Sequence, residues 1–87
     1  MIFPEAIGFG QTPLMTPIRV RYDADADAAY FCFADVIHPG EAVLTVPVSG
    51  VSIDGIVNLD VDAQGRLLGL EVLNARRLLR PEILPSE

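Results

Sequence analysis

Between residues 57 and 73 the apolar side chains fall on every second position: Val57, Leu59 and Val61, then Leu68, Leu70 and Val72. A period of two places each trio on one face of an extended strand, a pattern no helix accommodates. Asp62-Ala63-Gln64-Gly65 separates the trios and supplies a turn, with glycine where a positive φ is needed. Asn58, Asp60, Gly69 and Glu71 are left for the opposite face. One apolar and one polar face is the signature of an antiparallel sheet that rests on a core with one side and meets water with the other. A lone hairpin is marginal in water, so further strands must join it.

Those strands are visible upstream. Residues 18–22 alternate apolar and basic side chains, and 29–34 form a more buried strand carrying Tyr30, Phe31 and Phe33. Between them, Asp23 suits an N-cap and 24–27 a short helical turn, because a carboxylate accepts the free amides of a first turn. Pro39-Gly40 marks a connection, and 42–48 a third strand. Pro47 donates nothing to a ladder, so that strand ends there or lies at an edge. Residues 74–80 fit a short helix with Leu78 and Leu79 inward, which Pro81 discourages from continuing. The fold class expected is α+β: mainly antiparallel sheet of about five strands in a β-meander, with a short helical turn and a short C-terminal helix. A Pro- and Gly-rich apolar arm at 1–17 precedes the domain at 18–80, and a tail follows at 81–87.

Composition narrows the function classes. The chain has 87 residues and a net charge of −6, and all of its basic residues are arginine. Such a surface repels phosphate backbones and anionic lipid, which disfavours nucleic acid and membrane surfaces as partners. No apolar run is long enough to span a membrane, and the N-terminus lacks the basic start of a signal peptide, so a cytoplasmic protein is expected. Cys32 stands alone in an apolar strand and reads as a buried, inert thiol. The apolar fraction of 51% is more than so small a domain hides easily, so a homodimer is expected, with Phe3 and Phe9 of the arm as contact candidates.

The run Tyr22-Asp23, Ala26-Asp27-Ala28-Ala29-Tyr30, followed by Asn58-Leu59-Asp60-Val61-Asp62 and then Gly65, Gly69, Glu71 and Ala75, resembles the small prokaryotic family called domain of unknown function 2283. The likeness spans roughly residues 18 to 80. It implies a short β-rich fold, a stand-alone module and, in some relatives, a small toxin-like neighbour. It brings no catalytic residue with it.

Individual motifs point the same way. Asp60, Asp62, Gly65 and Glu71 carry the first, third, sixth and twelfth positions of a calcium loop, yet the flanks alternate as strands, which carries Glu71 away from Asp60. An acidic hairpin is the better account. Two carboxylates on one sheet face without tryptophan or a sugar platform do not make a glycosidase. His38 lies alone in a Pro-Gly loop, Ser49 and Ser52 lack a nucleophile elbow, and Gly8-Phe9-Gly10 is not bracketed as a dinucleotide loop. Arg76, Arg77 and Arg80 form the basic cluster, which either meets an acidic edge such as the turn bearing Asp23 and Asp27, in the same or another subunit, or is simply solvated. No catalytic, cofactor or metal residue is expected. The chain reads as a non-enzymatic interaction module, homodimeric, with another small protein as a further partner. The alternative is a small-ligand or divalent-metal protein built on the acidic hairpin.

Overall fold

The computed structural model describes residues 17–49 and 52–85. Five strands, β1 (Arg19–Asp23), β2 (Ala28–Cys32), β3 (Leu44–Pro47), β4 (Ile56–Val61) and β5 (Leu67–Leu73), form one sheet. They are followed by the single-turn helix α1 (Ala75–Leu78) and a 3₁₀ turn at Pro81–Ile83. The class is mainly β, and helix contributes little more than one turn.

All neighbours are antiparallel, in the order β1-β2-β5-β4-β3. The expected meander is therefore interrupted once. After β2 the chain crosses to the far edge, lays down β3, and works back through β4 to β5, which closes against β2. Alternation within a strand does not encode which strands become neighbours, so the crossover has no periodic signature.

The expected helical turn at 24–27 is a hairpin loop instead. Asp23 Oδ1 accepts the amides of Asp25 and Ala26 at 3.0 and 3.3 Å, and Asp27 adopts φ 51°. Both choices bend the chain straight back, and Asp23 pairs directly with Ala28. Aspartate tolerates the left-handed conformation because its short carboxylate bonds locally.

Cross-strand partners share a face, which settles the facing of the whole sheet. Val57 lies opposite Val72, Leu59 opposite Leu70, Phe31 opposite Leu70 and Ala29 opposite Val72. These form the apolar face, with Val20 and Tyr22 of β1. The expected facing of the last hairpin is thus observed. α1 and the segment after it cover one end of this face: Ala75 is fully buried, and Leu78, Leu79 and Leu84 pack against the cluster it forms with Ala29 and Val72. Leu68 is buried as well. Towards β3 the same face opens to solvent, with Leu44 57% exposed and Val46 and Val48 exposed beside it.

Candidate functional site

The polar face carries the most elaborate chemistry. Its central side chain is Tyr30 of β2. The phenol crosses the neighbouring strand β5 and donates to Asp60 Oδ2 on β4 at 2.8 Å. The other carboxylate oxygen, Oδ1, accepts the Thr45 hydroxyl from β3 at 2.8 Å. A single aspartate thus ties three strands to one another across a fourth.

The crossing is possible because of Gly69. It lies on β5 opposite both Cys32 and Asp60, and the Tyr30 ring lies over its Cα. A β-carbon there would fall 2.6 Å from the ring's Cε2 and closer still to the phenol oxygen. Glycine inside a strand commonly marks such a close approach. Two residues along β5, Glu71 Oε1 accepts from Asn58 Nδ2 at 3.1 Å across the strand pair. Burial, and then the Asp60 carboxylate beside the hydroxyl, push the Tyr30 pKa well above the usual phenol value.

The turn carboxylates serve the backbone. Asp62 Oδ1 accepts the amides of Gln64 and Arg66 at 2.9 and 2.8 Å, closing the β4–β5 turn with Gly65 at φ 81°. Asp60, Asp62 and Glu71, the three carboxylates that mimic a calcium loop, are each engaged by protein donors. Glu71 sits opposite Asn58 along β5 instead of curling back towards Asp60.

Asp27 acts over a longer range. Its Oδ1 accepts the Tyr22 hydroxyl at 2.9 Å and the Arg76 amide at 3.0 Å, while its carbonyl oxygen accepts the Ala75 amide at 3.0 Å. The first hairpin therefore supplies the cap that α1 does not find in its own Asn74. Asn74 takes φ 63° and sends its Nδ2 to the Asp54 carbonyl at 2.7 Å.

The three arginines of the C-terminal cluster go separate ways. The Arg76 guanidinium lies over the Tyr22 ring, 5.9 Å from its centroid. Arg77 Nε pairs with Asp54 at 2.6 Å, and Arg80 approaches Glu82 at 3.9 Å, both pairs well exposed. α1 ends at Leu78, so Arg76 and Arg80 are not helical neighbours. Asp23 serves its own turn. Phe3 and Phe9 lie outside the described residues. Cys32 is a free thiol and only half-buried, on the polar face, where an alternating strand places it opposite Gly69. The Tyr30–Asp60–Thr45 link has one signal in the sequence, Gly69 in the middle of an otherwise bulky strand.

A family model described as Protein of unknown function (DUF2283) matches residues 19–76, from the start of β1 into α1. The chain belongs to that family. Comparison with curated proteins and with solved structures found no match. In this DUF2283 chain the residues that carry the family likeness each have a place in the architecture. Tyr22 and Asp27 hold the cap of α1, Ala29 and Ala75 are buried, Tyr30, Asp60 and Gly69 form the crossing, and Asp62 and Gly65 make the turn. Among the described residues no helix is long and apolar enough to cross a membrane.

Proposed function

We propose that this DUF2283 protein is a non-enzymatic interaction module that works as a homodimer, packing the open, β3-side half of its apolar face against a second copy. One observation carries this reading. Leu44, Val46 and Val48 are exposed on the same side of the sheet as the half-buried Leu59 and Val61, and no charged residue occurs from 42 to 53. Interface cores are depleted in charge, and contiguous exposed apolar surface marks a contact. A two-fold axis through this patch would let it pair with itself.

Packing by face is favoured over adding strand to strand. Val48 donates its amide to Val57 at 2.8 Å, so alternation turns the amides of residues 44, 46 and 48 towards β4 and leaves 45 and 47 facing outward. Position 47 is proline and has no amide to offer, which blunts the edge. The divalent-cation reading has less support, because both oxygens of Asp60 already accept hydroxyl donors.

Light scattering tests the proposal. The parent should report twice the chain mass, and Val46→Glu, at a side chain already 37% exposed, should report a single chain with an unchanged far-UV spectrum. A parent that remains monomeric and folded at high concentration overturns the homodimer. A monomeric parent that forms a complex of defined stoichiometry with a small protein partner would transfer the same face to that partner.

A further inference from the structure

Where the chain leaves β2, residues 33–37 run beside β1 and enclose a concavity of about 610 Å³ with the polar face. That size falls within the range of small-ligand sites, about 300–1,000 Å³. Arg19, Arg21, Tyr30 and Cys32 form the sheet wall, and Val36 and Ile37 the opposite one, with Asp35 at the lining as well.

The charge there runs against the rest of the molecule. The chain carries −6 overall, whereas this lining holds two guanidinium groups against one carboxylate. The two arginines are not equivalent. Arg19 Nη2 donates to the carbonyl oxygens of Ala34, at 3.2 Å, and of Asp35, so it fastens the crossover to β1. Arg21 makes no hydrogen bond and no ion pair among the described residues. It stands next to Tyr30, whose hydroxyl is already given to Asp60, which leaves the ring as an apolar wall. An unpaired guanidinium that shares a lining with Tyr30 and two aliphatic side chains is complementary to an anion that carries an apolar body.

We propose that this concavity binds a small organic carboxylate, with the carboxylate on Arg21 and the apolar portion between the Tyr30 ring and Val36 and Ile37. Arg19 acts as a positioning residue that holds the crossover wall. The site lies on the polar face, so it is independent of self-association through the apolar one.

The test is an amide-shift titration of the full chain with hexanoate, run beside hexanol. Saturable hexanoate shifts at Arg21, Tyr30, Cys32 and Ile37, with hexanol much weaker, are expected. Arg21→Gln replaces an exposed, unpaired side chain and should weaken hexanoate binding by at least roughly tenfold, the scale of a lost charge-assisted hydrogen bond. Arg66→Gln, at the remote β4–β5 turn, should leave it unchanged and controls for net charge. Hexanoate shifts that fail to saturate, hexanol shifts of equal size at the same amides, or Arg21→Gln binding as tightly as the parent would each overturn the site.

Discussion

Gly69→Ala probes the crossing of β5 by Tyr30 directly. The new methyl would occupy the space now filled by the phenol, 2.6 Å from Cε2. Two responses are open: to compress the contact, which costs about 1–3 kcal/mol in a packed site, or to swing the ring aside. The ring is the far end of a side chain, so it swings, and the bond to Asp60 is lost. A hydrogen bond to a charged group contributes about 1.5–3 kcal/mol. Replacing glycine also stiffens the unfolded chain, which returns about 0.4–1 kcal/mol. The net loss should be about 2 kcal/mol, against a total stability of about 4–13 kcal/mol for a chain of this length. Urea unfolding at neutral pH followed by circular dichroism measures it. The decisive comparison is the same substitution in a Tyr30→Ala background. No ring then lies over position 69, so Gly69→Ala should be neutral or stabilising, giving a coupling energy of about 2–3 kcal/mol. Equal losses in both backgrounds would show that alanine disturbs the strand itself, and the crossing argument would fail.

Three further outcomes follow from the same geometry. The folded-state pKa of Tyr30 is raised above its unfolded value of 10.0, so the stability it contributes is present below that pH and is lost progressively as pH rises beyond it; urea midpoints should fall steadily above about pH 10 in the parent, and much less in Tyr30→Phe. Asp27→Ala removes the acceptor of both the Tyr22 hydroxyl and the Arg76 amide and should cost about 1–3 kcal/mol, with Asp27→Asn intermediate; denaturant curves matching the parent would refute its capping role. Leu68→Ala, at a side chain 6% exposed, should cost about 2–5 kcal/mol, whereas Leu67→Ala, 49% exposed, should stay within about 0.5 kcal/mol; the reverse order would invert the facing of β5.

The strands and their facing were legible because alternation is a local property. Val57, Leu59, Leu70 and Val72 announce one face without reference to anything beyond the hairpin. Pro47 likewise announced an edge, since a missing amide is intolerable between two strands. The order of the strands was not legible, because β2 and β5 are joined by pairing between residues far apart in the chain. The turn at 24–27 was misread for a physical reason: an aspartate that accepts the next amides looks the same before a helix as in a hairpin, and the φ of Asp27 decides between them. The site followed the same division. Asp60 and Glu71 stood out as a polar pair on one face, but the donors to Asp60, Tyr30 and Thr45, and the donor to Glu71, Asn58, come from other strands. The arginine cluster dissolved because its helix is one turn long and each side chain answers to a different neighbour.

The crossover has a consequence for how the chain is made. It divides the molecule into an N-terminal hairpin and a C-terminal three-stranded piece, each local in sequence, and the seam between β2 and β5 closes only when both exist. During synthesis the first hairpin emerges with the inner edge of β2 unpaired, and Ala28-Ala29-Tyr30-Phe31-Cys32 carries no charge to guard it. Unpaired apolar edges recruit other chains. The nascent protein is therefore most exposed to misassembly in the interval between release of β2 and arrival of β5, and the length of chain between those two strands sets how long that interval lasts. Synonymous changes that slow translation through residues 33–66 would lengthen it without altering a single contact of the finished fold.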